Sequence, residues 1–167
     1  TGIDLITAST SGLSASRTLD TTDVIAGGEG SDQLTVTMNG SFAGFSSPGA
    51  MTGVEKLALI NESVISRSFD ATGVTGLTSI SLDATAGDLS LVDLPETGIT
   101  VSLIAQDSND LNIAFATVSA TDDSLTLNLG GGIGATSAVS LNAAGIETIQ
   151  LVSSGSTANK VEIGDLS

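Results

Sequence analysis

An all-β chain wound as a β-solenoid, in coils of roughly 22 residues, is what this sequence predicts. Three observations carry the prediction. Short segments that alternate apolar with polar residues recur at a nearly constant interval. The connectors between them are rich in Gly, Asp, Asn, Ser and Thr, which make turns. The apolar residues are almost all Ala, Val, Ile and Leu, with aromatics at 2%, a composition that suits narrow repeated layers better than one large centre.

The first strand series occupies positions 32–38, 54–60, 77–82, 99–104, 124–129 and 146–151, and its starts advance by a nearly equal step each time. A second series falls between them, at positions 64–70, 88–94, 110–116, 138–143 and 160–166. Each segment has the period-two pattern of a half-buried strand. A near-constant period means that each unit buries its apolar face only by stacking on its neighbours, so each coil should supply two or three strands to parallel sheets. Leu57 and Ile149 are expected to point inward. A β-sandwich is the alternative, because short strands at close spacing also describe one. Helix is poorly supported, since no window holds an i, i+3, i+4, i+7 stripe; short helical turns are expected at most around 48–52 or 70–75. The stretch 39–50, with Phe42, Phe45 and Pro48, reads as a longer loop folded over the solenoid flank, its two phenylalanines forming a local packing patch.

One turn stands out. Gly27-Gly28-Glu29-Gly30-Ser31-Asp32-Gln33-Leu34-Thr35 is a complete G-G-x-G-x-D-x-U-x nonapeptide. That spacing turns the chain tightly while presenting oxygens to Ca²⁺: glycines reach φ > 0, the aspartate supplies an anionic oxygen, and the following Leu34 enters the core. Asp23 lies one nonapeptide earlier in matching phase, with Ile25 placed as Leu34 is. The candidate metal ligands are therefore Asp23, Gly27, Gly28, Gly30 and Asp32, for calcium. An ordinary turn with a solvated aspartate is the plain alternative. Further acidic connectors, Asn61-Glu62, Asp107 to Asp110 and Asp122-Asp123, could add calcium loops, though turn residues that bond their own backbone explain them as well.

The chain has 167 residues, enough for one domain over 1–167, with 19 acidic against 4 basic residues and a net charge of −15. Such a balance repels phosphate backbones and anionic lipids, which argues against nucleic acid and membrane surfaces as partners. No apolar run approaches a membrane span. Cysteine is absent, as in surface proteins that are stapled by calcium instead of disulfides. The first residue is Thr, so we expect a piece of a longer polypeptide whose export signal lies outside it. Catalysis is not expected. Without His, Cys, Tyr or Trp, neither a serine or cysteine triad nor a histidine zinc site can be built. A carboxylate pair for glycoside hydrolysis would draw on Asp122 and Asp123, which are adjacent, or on Asp107 and Asp110 in the preceding connector; both clusters sit in Ser/Thr/Asn-rich turns and lack aromatic platforms for a sugar. Arg17, Lys56, Arg67 and Lys160 are scattered.

The order of features resembles the C-terminal β-repeat region of RTX-type bacterial surface-layer proteins. A GGxGxD turn leads into an aliphatic strand, then N-G-S-F at 39–42, G-V-E-K-L at 53–57 and F-D-A-T-G-V-T-G-L-T-S-I-S-L at 69–82. A late G-I-E-T-I-Q-L follows at 145–151, repeating the pattern G-[VI]-E-x-[LI]-x-L. The resemblance spans most of 20–167. It implies a type I-secreted, extracellular module of a calcium-dependent lattice that assembles with further copies of the parent protein. Cell-surface glycan would be reached through regions outside this chain. The family's calcium-ligand role carries over to Gly27, Gly28, Gly30 and Asp32, with Asp23 as in-phase neighbour; the chain departs from the family in having so few nonapeptides. Two other readings are an extender module of a secreted RTX adhesin and the calcium-binding β-roll of a secreted enzyme.

Overall fold

The chain winds into a β-solenoid of about six turns with coils of about 23 residues. The structure, a computed structural model, describes residues 2–84, 87–105, 110–118, 121–135, 137–164 and 166. The largest sheet has seven parallel strands: β1 (Leu5–Ser11), β3 (Gln33–Asn39), β5 (Lys56–Asn61), β8 (Ser79–Ala84), β10 (Thr100–Ala105), β12 (Ser124–Leu129) and β14 (Thr148–Ser153). A second sheet stacks β6 (Arg67–Asp70), β9 (Leu89–Leu94), β11 (Leu111–Phe115), β13 (Val139–Asn142) and β15 (Val161–Ile163). A third, shorter sheet holds β2 (Val24–Ala26), β4 (Ala50–Thr52) and β7 (Val74–Thr75).

Register explains why the sequence repeats. Reading across the large sheet, Ile6, Leu34, Leu57, Ile80, Val101, Leu127 and Leu151 form one inward column. One position earlier runs the outward column Leu5, Gln33, Lys56, Ser79, Thr100, Thr126 and Gln150. Measured along that column, the coil from Leu5 to Gln33 is the longest and the coil from Ser79 to Thr100 the shortest. A parallel strand shifted by one position would turn every aliphatic side chain into solvent, so the inward columns fix the register. The second strand series supplies the facing wall: Phe69, Leu91 and Ile113 stand in one inward column, and Leu89, Leu111 and Leu141 in another. All six are buried.

Several sequence expectations need correction. The stretch 39–50 does not lie over the flank. Phe42 bridges in parallel to Phe69, and Phe42 and Phe45 are 4% and 5% exposed. The Phe42 ring stacks on Phe69 at 5.1 Å between centroids and meets Phe45 edge-on at 5.0 Å. The packing patch is real, but it fills the inside of the early coils. The helical turns expected at 48–52 and 70–75 give way to β4 and β7, whose Met51 and Val74 are drawn into the core by neighbouring coils. The helical turn among the described residues is a 3₁₀ turn at Ser14–Ser16. The second series begins later than expected at 64, because Val64 and Ile65 are exposed in a turn. The sequence pattern anticipates neither β1 of the first coil nor the third sheet.

The two edges of the large sheet differ. On the outer edge of β1, the Ser9 N–H donates to Thr18 Oγ1 at 2.8 Å, and the Ser9 carbonyl accepts the N–H groups of Thr18 and Leu19. The segment after β1 thus folds back and blunts that edge, a standard protection against stray strand pairing. At the other edge β14 pairs with no further strand among the described residues; Ile149 is only half-buried, and Leu151 is 49% exposed. Ile149, expected inward and buried, is thus inward but half-covered. Leu57→Ala should therefore cost ~2–5 kcal/mol, whereas Ile149→Ala should cost well under half as much. Urea titration of the two variants checks the contrast. Far-ultraviolet circular dichroism should show almost no helix.

Candidate cation site

Asp32 stands directly before β3, at the corner where the Gly-rich turn enters the large sheet. Its side chain is fully buried. Oδ1 accepts the Asp4 N–H of the preceding coil at 2.7 Å, while Oδ2 is buried without a hydrogen-bond partner among the described residues. The Asp32 N–H in turn donates to Glu55 Oε2 of the following coil at 2.8 Å. Asp4, Asp32 and Glu55 thus occupy one column, each immediately ahead of its strand, and carboxylates clasp one coil to the next. Backbone N–H groups donating to a carboxylate make the stronger, charge-assisted kind of hydrogen bond.

The same clasp recurs near the other end. The Asp123 N–H donates to Glu147 Oε2 at 2.9 Å, and Asp123 Oδ1 accepts the Thr97 hydroxyl at 3.0 Å. Glu55 and Glu147 are the glutamates of the two G-[VI]-E segments. That repeated signature therefore encodes a carboxylate that reaches back to the start of the preceding coil's strand. Sequence reasoning misses Glu55 and Glu147 as site residues. The available signal is an aspartate one coil ahead of each, Asp32 before Glu55 and Asp123 before Glu147.

The glycines of the nonapeptide are required by close approach as much as by dihedral angle. Gly28 and Gly30 have φ of +90° and +148°, as the motif anticipates. A Cβ on Gly27 would overlap the Gly53 carbonyl oxygen and come within 2.8 Å of Asp32 Oδ2, and one on Gly30 would overlap the Gly2 carbonyl. The Gly53 carbonyl and the orphaned Oδ2 therefore face the same point above Gly27. Asp23 is not brought into this arrangement: it precedes β2 of the third sheet, and its Oδ2 accepts the Asp20 N–H at 2.7 Å. The shared phase of Asp23 and Asp32 marks successive corners of one coil.

Among the described residues no group of three or more acidic side chains converges on one point. Asn61 is fully buried; its amide donates toward the carbonyls of Ile65, Gly87 and Asp88 and its oxygen accepts the Ser63 N–H, so it serves the turn. Asp122 is exposed with φ of +75°. Of the Asp107 to Asp110 loop only Asp110 lies within the described residues; its N–H donates to Asp88 Oδ1. No known protein family, no characterised protein and no solved structure matches the chain.

Chemically, the Asp32 corner can offer one anionic oxygen and a neighbouring carbonyl to a hard cation. Two outcomes test its packing. Gly27→Ala forces the Gly53 strand connection outward and should destabilise by ~1–3 kcal/mol. Glu55→Ala leaves the Asp32 N–H unpaired and should cost about 1–3 kcal/mol, with Glu55→Gln largely restoring it. Thermal melts of the three variants measure both.

Proposed function

We propose that this chain is a non-catalytic structural module of a calcium-dependent bacterial surface layer, working by assembly and not by turnover. The observation that carries the reading is Asp32 Oδ2, a carboxylate oxygen shut inside a coil junction with no donor among the described residues to satisfy it. A buried carboxylate oxygen is costly unless something positive or hydrogen-bonding meets it. Calcium, which takes hard oxygen ligands from carboxylates and carbonyls, would meet it, with Gly53 supplying a carbonyl beside it. The exposed Gly28-Glu29-Gly30 turn would open locally to admit the ion, since its glycines tolerate the change of backbone angle. Around that site the stacked coils, the −15 charge and the lack of nucleophile-and-base machinery suit a scaffold on the outside of a cell.

Calcium that binds only the folded form raises stability by mass action, by ~2.7 kcal/mol at a hundred times its dissociation constant. Chelation should therefore lower the melting temperature, and Asp32→Ala should abolish most of the calcium-dependent shift. A melt that is the same with calcium and with chelator would sink the calcium reading. For the parent chain, electron microscopy should show dispersed particles under chelation and ordered sheets or ribbons once calcium returns. Dispersed particles in both conditions would overturn the lattice reading and favour the adhesin extender.

A further inference from the structure

The outward face of the seven-stranded sheet is built differently from the rest of the surface. Its positions alternate with the buried columns and carry mainly small hydroxyl residues, among them Thr35, Thr37, Ser81, Ser102 and Thr126. In a chain with 19 acidic residues, the outward positions of these seven strands hold two charges, Lys56 and Asp83. Neither forms an ion pair among the described residues, where the one salt bridge joins Arg17 to Asp20. Elsewhere acidic side chains concentrate at the coil corners and connectors. The short three-stranded sheet is uncharged as well, so the seven-stranded sheet is the widest of the sheet faces on which a second copy meets no net repulsion.

The two charges are also arranged for self-recognition. Lys56 opens β5, and Asp83 lies on the adjacent β8 opposite Ile60, near the other end of the strand pair. A two-fold axis lying in the face, perpendicular to the Lys56–Asp83 line and through its midpoint, brings each lysine onto the other copy's aspartate. One operation thus pairs both charges, as an isologous interface requires. Seven strands ~4.8 Å apart and about six residues long cover roughly 600 Å². Two copies would bury about 1,200 Å² in all, above the ~1,000 Å² that a specific interface needs. End-to-end growth is disfavoured by comparison, because the edge of β1 is blunted at Ser9.

We propose that two copies of this chain pack face to face through the outer surface of the seven-stranded sheet, with Lys56 and Asp83 cross-paired about that two-fold axis. This rests on the self-assembly reading and names the contact it would use. The midpoint of the Lys56–Asp83 line lies beside Ala58, which is paired with Ser81. Because the protein has no cysteine, Ala58→Cys should form an intermolecular disulfide under mild oxidation, roughly tenfold faster than Val24→Cys on the third sheet. Adding Lys56→Glu to Ala58→Cys should slow cross-linking, and adding Asp83→Lys as well should restore it. Equal rates at the two cysteines, or failure of the double reversal to rescue, would overturn the interface. If the parent chain forms calcium-dependent sheets while Ala58→Cys shows no advantage, this contact falls and the lattice reading stands.

Discussion

Every coil of this protein depends on the coil beside it. A single turn of about 23 residues encloses too little space to bury the aliphatic side chains it carries. Burial comes from the parallel stack, in which Leu57 is covered by Leu34 on one side and Ile80 on the other. Apolar area removed from water is worth ~25 cal/mol per Å², and here nearly all of it is removed by neighbours distant in sequence. The constraint propagates outward. It fixes strand register, because a slip of one position exposes a whole column, and it sets where chain length can vary. Between Leu5 and Gln33 the coil is long, and between Ser79 and Thr100 it is short. The slack is taken up in connectors, while the strands stay aligned.

At the corners the same stacking creates a polar problem that the carboxylates solve. Ahead of each strand the backbone leaves the ladder, and its N–H groups need acceptors from an adjacent coil. Glu55 supplies one for Asp32, Asp32 for Asp4, and Glu147 for Asp123. Glycine is needed beside the Asp32 clasp because the backbones at Gly27 and Gly53 run too close for a Cβ. The excess of acidic residues thus has a structural share that composition alone does not reveal: some of it is a hydrogen-bond register, and Asp32 is left with one oxygen over.

Much of the architecture is legible in the sequence because the inward columns are written as strict alternation at a steady interval. The large sheet and the second sheet follow that pattern closely, even to the start of β12 at Ser124. The third sheet is not legible, since very short strands such as β7 carry no alternation to read. Phe42 and Phe45 mislead because glycine and serine around them imitate a surface loop, whereas stacking on Phe69 holds them inside. At the site, Asp32, Gly28 and Gly30 are legible from motif spacing. Glu55 is not, because its role is a hydrogen bond between coils, and Asp23, though in phase with Asp32 along the chain, stands at a different corner.

Charge placement links the corners to the faces. A stack whose clasps are carboxylates gathers negative charge along its corners, and like charges there repel a second copy edge to edge within about a Debye length, ~8 Å at physiological salt. The flat strands between the corners must keep their outward positions free of net charge if copies are to approach at all, and on the seven-stranded sheet Lys56 offsets Asp83. In the proposed assembly, a divalent cation would screen or bridge the corners and so weaken the repulsion that opposes association, while the hydroxyl face would supply the shape. The geometry that makes the coil self-consistent therefore also divides its surface into acidic corners and a sheet face without net charge.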